Sequence, residues 1–351
     1  MIKAILVSGL LAAGFIFALI QREAKKVGSC DAEGIEEFER WKIREGKQYK
    51  SPSEQVYRLI VFCNARDIVI RHNSDPAQLY TKGINHFSDI TNEEYAARHS
   101  RLQKDSPAKL EAKPHPELHN LGRITVPDSV DWSKTPVINR VYDKKDCSAC
   151  YAFASIQAVE ATLYLENRIT EVLSVENIVD CTSEVPYTNS GCEGGCVFMS
   201  LRYIKEQGVA TNESYPYTAG ESGSPSYCQS KINRPYTISN YYPIPTGRSD
   251  LLKNLVASKP VAVSIYNFDI KDYHGGIYNG DDCKASLGSG FMLLVGYGVD
   301  RIETGSQKYW ILKNHVGTNW GMKGFMKLSR DEGRVNGKCG ITDSGVYVET
   351  N

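Results

Sequence analysis

The sequence predicts an α+β fold in two lobes, with a separate helical segment in front of it. After about residue 126 the chain opens with helical patterns, such as Phe153, Ile156, Val159 and Leu163 at steps of three and four. It ends with short β-branched or apolar runs, which are typical of strands. Helices that precede strands in this way favour the α+β class. Strands are predicted at residues 261–266, 291–297, 309–313 and 324–328.

Apolar spacing and helix-end signals predict four helices. In the first, Phe38 and Trp41 fall on one face. The second follows Ser51 or Ser53 as its N-cap, and Pro52 suits a first helical turn. The predicted helices cover residues 35–44, 53–72, 150–166 and 197–206.

The beginning of the chain predicts a secretory signal peptide over residues 1–22. Lys3 precedes an apolar run at 4–20 in which Ser8 is the one polar side chain, and a charged stretch follows. A signal anchor is the alternative, because the run is near the lower limit for spanning a bilayer and lacks a clear cleavage site. We expect the chain to enter the secretory route, with an extracellular, lysosomal or vacuolar destination.

Charge and cysteine content narrow the classes of partner. The 351 residues include 41 basic and 41 acidic side chains, a balance that gives no indication of a nucleic-acid partner. Ten cysteines in a secreted chain are expected to form disulfides. Cys147 and Cys150 have the C-x-x-C spacing of a zinc site, but no second pair follows at a finger-like spacing. We therefore expect no metal and no cofactor, and a monomer.

Three separated motifs carry a resemblance to a known family. They are CSACYAF at 147–153, GCEGG at 191–195 and YWILKNHVGTNWG at 309–321. In this order and spacing the chain resembles a papain-family cysteine peptidase of the cathepsin L kind. The resemblance implies a papain-like fold in which a helical lobe and a β-barrel-like lobe flank a cleft.

The region before this domain resembles a cathepsin L-type inhibitory propeptide. Its first pro motif is represented by Glu54, Arg58, Phe62 and Asn73, and its second by GINHFSD at 83–89. The implied organisation is a pro-segment at 30–95 and a peptidase domain at 125–351. Residues 96–124 form the predicted linker, because much of this stretch is rich in charge and proline and poor in apolar residues.

The resemblance assigns each catalytic role to one position. Cys150 matches the nucleophile at the start of a helix, and Asn314 matches the asparagine that orients the catalytic histidine. The histidine position itself holds Gly290, which cannot accept a proton. Lys144 stands where the family has the glutamine that binds the oxyanion. Val316 stands where an indole shields the asparagine.

Other residues are candidates to replace the missing base. His315 neighbours Asn314, although a surface or cleft-rim position without a catalytic role is favoured for it. Lys144 is the second candidate, since an ammonium beside Cys150 can hold the sulfur as a thiolate, although a solvated lysine that points away is favoured for it. His274, in the turn-like stretch Tyr-His-Gly-Gly, is predicted to be a loop residue.

The resemblance also implies the disulfides and the cleft wall. Gly194 and Gly195 match the backbone that pairs with substrate, and Cys196 matches the wall of the pocket for the second substrate residue. Cys196 is interpreted as a small buried hydrophobe, with a redox couple to Cys150 as the alternative. The implied disulfides are Cys147 with Cys192, Cys181 with Cys228, and Cys283 with Cys339.

Two functions are compatible with these residues. The leading hypothesis is a homologue that is inactive or strongly impaired in proteolysis and binds peptides, a partner protein or cystatin-like inhibitors in its cleft, with its own pro-segment as a further partner. The rival is an active cysteine endopeptidase that uses Cys150 with His315 or Lys144 as base. Asn212 begins a sequon and is a predicted N-glycosylation site.

Overall fold

The computed structural model describes residues 30–99, 125–138, 140–266, 270–281, 283, 289–302, 305–330, 333 and 335–350. The predicted signal peptide and residues 100–124 of the predicted linker lie outside these residues. The chain divides into two compact units. The first comprises Met1–Tyr95 with Lys271–His274, and the second comprises Ala96–Ile270 with Gly275–Asn351.

The first unit is built on two capped helices. Asp31 precedes the first helix and accepts a hydrogen bond from the Gly34 N–H at 2.7 Å. Ser51 caps the second helix by accepting from the Glu54 N–H, and Pro52 occupies its first turn. Both predicted helices are therefore confirmed. The elements of this region are α1 (Ala32–Arg44), α2 (Pro52–Asn73), β1 (Tyr80–Lys82) and α3 (Asn92–His99).

An aromatic cluster forms the core between α1 and α2. Phe62 lies 5.4 Å from Phe38 and 5.1 Å from Trp41 between ring centroids, and all three side chains are buried. The Cys30–Cys63 disulfide joins the same cluster. Apolar contact therefore forms the core of the packing between α1 and α2, and ion pairs between the two helices add to it.

The second pro motif, residues 83–89, makes backbone contacts inside the first unit. The Gly83 N–H donates to the Asp272 carbonyl, and Asn85 Nδ2 donates to the Lys271 carbonyl, both at 2.8 Å. The Asp89 carboxylate accepts from Lys47 Nζ at 2.9 Å. The motif thus makes hydrogen bonds to main-chain carbonyls and to the Lys47 side chain within this unit.

The second unit contains the buried helix that carries Cys150. Its first fourteen residues are all buried, and it ends at Arg168, which has a left-handed backbone. The helix packs against strands of the sheet described below and against a further helix that ends at Gly208. The helices of this unit are α4 (Cys150–Asn167), α5 (Val175–Cys181), α6 (Val197–Gln207), α7 (Ala219–Ser222) and α8 (Ser249–Ser258). Among the described residues, no helix is long and apolar enough to cross a membrane.

The sheet of the second unit is mainly antiparallel. Its strands are β2 (Val130–Asp131), β3 (Asn240–Ile244), β4 (Val261–Tyr266), β5 (Tyr273–Tyr278), β6 (Ser289–Ile302), β7 (Gly305–Lys313), β8 (Phe325–Ser329) and β9 (Gly345–Glu349). Their order is β5-β8-β7-β6-β4-β9-β3, and β2 pairs with β6. The parallel pair is β5 with β8. All four predicted strands are confirmed, and the α+β class is confirmed with them.

Two predictions about this sheet were incomplete or wrong. The β6–β7 hairpin continues to the pair Ile302–Gly305, well beyond the predicted ends of both strands. Its outer residues are largely polar and exposed, so backbone pairing extends the strands where the apolar pattern has ended. His274 was predicted in a loop but lies in β5, a strand that pairs with β8 through Ile277 and Tyr278.

We predict that Phe62→Ala lowers the free energy of unfolding by about 3–5 kcal/mol, because it opens a cavity in a fully buried aromatic cluster. Denaturant titration of the full chain measures the change. Tyr57→Ala is the matched control on the same helix, since the Tyr57 side chain is 46% exposed. An unchanged midpoint for Phe62→Ala would contradict the role given to this cluster.

Candidate active site

Cys150 is the first residue of α4, and three residues earlier the chain is held by the Cys147–Cys192 disulfide. Its thiol is buried, with 8% of the residue exposed. The Phe291 N–H donates a hydrogen bond to Cys150 Sγ at 3.5 Å. Burial raises the pKa of the Cys150 thiol, opposed by this N–H and by the charge of Lys144. The thiol is therefore favoured over the thiolate in this structure.

Gly290 lies on β6 directly before Phe291, and is paired across the sheet with Ile265. Since the Phe291 amide contacts the sulfur, position 290 adjoins the group that touches Cys150. Glycine brings no side chain that can accept a proton. The group that reaches Cys150 from this strand is thus a main-chain donor.

Asn314 follows the last residue of β7 and is buried. Its side-chain oxygen accepts a hydrogen bond from the His315 N–H at 2.8 Å, and its own N–H donates to the Gly324 carbonyl. The amide oxygen that the family uses to orient an imidazole is therefore engaged by the next peptide unit. Val316 is fully buried beside it and bridges to Asp143.

Lys144 lies in the turn before α4 with 2% of the residue exposed, so the solvated position favoured for it from the sequence was wrong. Its Nζ donates to the Cys147 carbonyl at 3.3 Å and to the Arg98 carbonyl at 3.2 Å. Burial lowers the pKa of Lys144 to about 8, and the nearby charges of Cys150 and Asp143 oppose this shift. The ammonium is thus fixed by backbone oxygens and close enough to Cys150 for their charges to interact.

His315 is in the protein core, so its predicted surface or cleft-rim position was wrong. None of the residue is exposed, and its ring stacks on Phe153 at 5.6 Å between centroids. Its Nδ1 is 2.8 Å from Gln157 Nε2, which makes Nδ1 the acceptor. Burial and the charges of Lys313 and Lys144 lower the pKa of His315 to about 3. The imidazole is therefore neutral over the ordinary pH range.

Two groups of the site, Gln157 and the Phe291 amide, were not predicted from the sequence. Gln157 is the one amide side chain in an apolar stretch of α4. Because buried polar groups are almost always hydrogen-bonded, this residue could have indicated a polar partner in the core. Its Nε2 also donates to the Phe153 carbonyl at 3.0 Å. The amide of Phe291 has no signal in the sequence, because main-chain donors are alike in every residue.

The cleft residues predicted at 194–196 lie in a tight turn. Gly194 has a left-handed φ of 110°, and a Cβ on Gly195 would come within 2.6 Å of Asn189 Oδ1. Cys196 is a buried thiol whose N–H donates to the same oxygen at 2.7 Å. Both glycines are thus required by backbone conformation or by close approach.

Eight of the ten cysteines form disulfides. The structure joins Cys147 with Cys192, Cys181 with Cys228, and Cys283 with Cys339, the pairs that the resemblance implies. Cys150 and Cys196 remain thiols. In the described part of the chain, no group of three or more His, Cys, Asp or Glu side chains could hold a metal ion. Asn212 is half-buried, and its N–H donates to the Val172 carbonyl.

Comparison with known proteins identifies the class. Residues 126–349 match the papain family cysteine proteases, and residues 38–95 match the cathepsin propeptide inhibitor domain. The chain therefore belongs to the papain family of cysteine proteases, in its cathepsin L-like, propeptide-bearing branch.

Individual relatives support this assignment. The chain is 32% identical to cathepsin 7 of Rattus norvegicus over 341 residues, 95% of this chain and 98% of that protein. Digestive procathepsin L 3 of Tenebrio molitor matches with a TM-score of 0.78 and 29% identity, over 91% of this chain and 100% of the other. Bromelain of Ananas comosus in complex with the E64 inhibitor matches with a TM-score of 0.57 and 30% identity, over 64% of this chain and 100% of the other.

We predict that His315 makes the protein acid-sensitive. The unfolded imidazole binds a proton below about pH 6.5 but the folded one only below about 3, so stability is lost as the pH falls through this window. The loss is on the order of 4 kcal/mol by pH 3. Denaturant titration at several pH values should show a shallower pH dependence for His315→Leu than for the parent. Equal slopes for the parent and His315→Leu would contradict the prediction.

Proposed function

We propose that this papain-family chain is inactive or strongly impaired as a peptidase, and that it uses its cleft to bind peptides, inhibitors or a partner protein. The hydrogen bond from the Phe291 N–H to Cys150 Sγ carries this proposal. In a working peptidase of this family the sulfur faces an imidazole that accepts its proton. Here the neighbouring position holds Gly290, and the sulfur receives a donor.

The state of Asn314 and Lys144 supports the same proposal. Asn314 Oδ1 accepts a hydrogen bond from the His315 N–H. This oxygen therefore has a partner without an imidazole beside it. Lys144 replaces the glutamine expected to bind the oxyanion, and its ammonium is bonded to two backbone carbonyls. Both residues therefore have partners that do not take part in peptide hydrolysis.

The expected losses are large enough to abolish useful turnover. An unassisted thiol near its ordinary pKa is only a few per cent thiolate at neutral pH, and burial lowers that fraction for Cys150. Loss of the general acid and base costs about 10²- to 10⁴-fold, and loss of an oxyanion donor costs roughly 10²- to 10³-fold. These factors do not multiply simply. Each combination nevertheless leaves hydrolysis near the background rate.

The alternative is an active endopeptidase with His315 or Lys144 as the base. The retention of Cys150 at a helix N-terminus favours it, as does the interaction between the charges of Lys144 and Cys150. Against it, the His315 Nδ1 lone pair is engaged by Gln157, and a pKa of about 3 makes this imidazole a poor base. The observations favour the binding function.

The proposed partners follow from the features of a papain-like cleft that this chain retains. We infer that the Cys147–Cys192 disulfide beside Cys150 and the glycine turn at Gly194 and Gly195 maintain the cleft, and the E64 complex of bromelain has an inhibitor bound to a relative. We propose peptides, cystatin-like inhibitors or a protein partner as ligands, and the pro-segment as an internal one. Four disulfides fit an oxidising compartment, so we place the chain in the secretory route as a monomer, with Asn212 as a glycosylation site.

We predict that the parent does not cleave dipeptidyl fluorogenic substrates after an added protease has removed the pro-segment. A Gly290→His, Lys144→Gln double variant should gain activity of about 10²-fold or more over the parent, because it restores the base and the oxyanion donor. Initial rates of fluorophore release measure both.

The matched control is Gly290→Ala with Lys144→Gln, which adds a Cβ at position 290 but no base. It should remain silent. Turnover by the parent that disappears in Cys150→Ala would overturn the proposed function, and His315→Ala would then identify the base.

We predict that iodoacetamide alkylates Cys150 more slowly than it alkylates free cysteine in solution at pH 7, because burial raises the pKa of the thiol. Mass spectrometry of the intact chain and of its peptides distinguishes Cys150 from Cys196. Cys150→Ala gives the background rate. Alkylation faster than that of free cysteine, and lost in Lys144→Gln, would support a thiolate held by Lys144 and count against the proposal.

A further inference from the structure

The carbonyl oxygen of Arg98 accepts two side-chain hydrogen bonds from the turn that precedes Cys150. Lys144 Nζ donates to it at 3.2 Å, and Ser148 Oγ donates to it at 2.5 Å. The Arg98 guanidinium also lies 3.3 Å from the Asp146 carboxylate. Arg98 is in the last turn of α3, and residues 96–99 belong to the same compact unit as this turn. Three contacts therefore converge on one residue.

Both donors are departures from the family pattern. Lys144 replaces the oxyanion glutamine, and Ser148 stands where the nucleophile signature has glycine. A glycine supplies no hydroxyl, and a glutamine supplies no charge. The two groups that bind the Arg98 carbonyl thus differ from the residues that the family pattern has at these positions.

The two donors are also preorganised. Both residues are more than nine-tenths buried. The second hydrogen bond of Lys144 Nζ, to the Cys147 carbonyl, fixes the ammonium, and the Ser148 N–H donates to the Cys192 carbonyl at 3.0 Å. A charged donor in a site shielded from water binds a carbonyl more strongly than a neutral, solvated one.

We propose that Lys144 and Ser148 form a binding site for a peptide carbonyl, and that the Arg98 carbonyl of this same chain occupies it. The inference rests on the proposed function, because Lys144 can hold a carbonyl of the chain in this way only where the oxyanion glutamine of a working peptidase is no longer needed. Residues 96–99 are then held against the turn before Cys150, within the second unit. A peptide ligand that uses this part of the cleft must displace residues 96–99.

Hydrogen–deuterium exchange of the full chain, read by mass spectrometry, tests the site. The probe is the set of peptides that covers residues 96–99. In Lys144→Met with Ser148→Ala these amides should exchange about tenfold to a hundredfold faster than in the parent, because one charged and one neutral hydrogen bond are lost. Ser148→Ala alone should give a smaller increase and serves where the double variant does not fold.

Lys145→Met is the matched control, since Lys145 is the next residue but pairs with Glu221. It should leave exchange at residues 96–99 within about twofold of the parent. Parental exchange rates in both Lys144→Met with Ser148→Ala and Ser148→Ala would overturn the carbonyl site while leaving the proposed function intact. Turnover by the parent that depends on Cys150 would overturn the proposed function, whatever the exchange rates are.

Discussion

Burial of helix α4 is the constraint on which the rest of the second unit depends. From Cys150 to Leu163 every residue is buried, so each polar side chain on this stretch needs a partner inside the protein. Ser155 and Thr162 bond to carbonyls one turn back on the helix. Glu160 accepts from Tyr142 and from the Leu173 N–H. The residues packed around α4 must therefore supply hydrogen-bond partners for its buried polar side chains.

The same constraint applies around Cys150. Gln157 on α4 is matched by His315 on the strand side, and the pair forms a polar contact in the core. The polar groups at the start of the helix also have partners. Cys150 Sγ accepts a hydrogen bond from a main-chain N–H, and Lys144 Nζ donates to carbonyl oxygens. In this papain-like fold the groups around the sulfur are thus bonded to main-chain donors and acceptors.

Most of the fold could be predicted from local pattern. Ser51 and Pro52 marked the start of α2, and the β-branched run at 261–266 is strand β4 as observed. The sequence failed where pairing does not require apolar residues. The outer half of the β6–β7 hairpin and the glycine-containing strand β5 are held by backbone hydrogen bonds to neighbouring strands. Such bonds carry no side-chain signal.

For the site, the sequence by itself determined the residue types: a cysteine at a helix start, an asparagine after a strand, and glycine and lysine where a base and an amide are expected. The tertiary structure alone decided where each side chain points. It buried His315 against Gln157, turned Asn314 Oδ1 to the next peptide, and brought Arg98 to Lys144. These contacts join residues up to 158 positions apart, and burial and direction at that range arise only from packing.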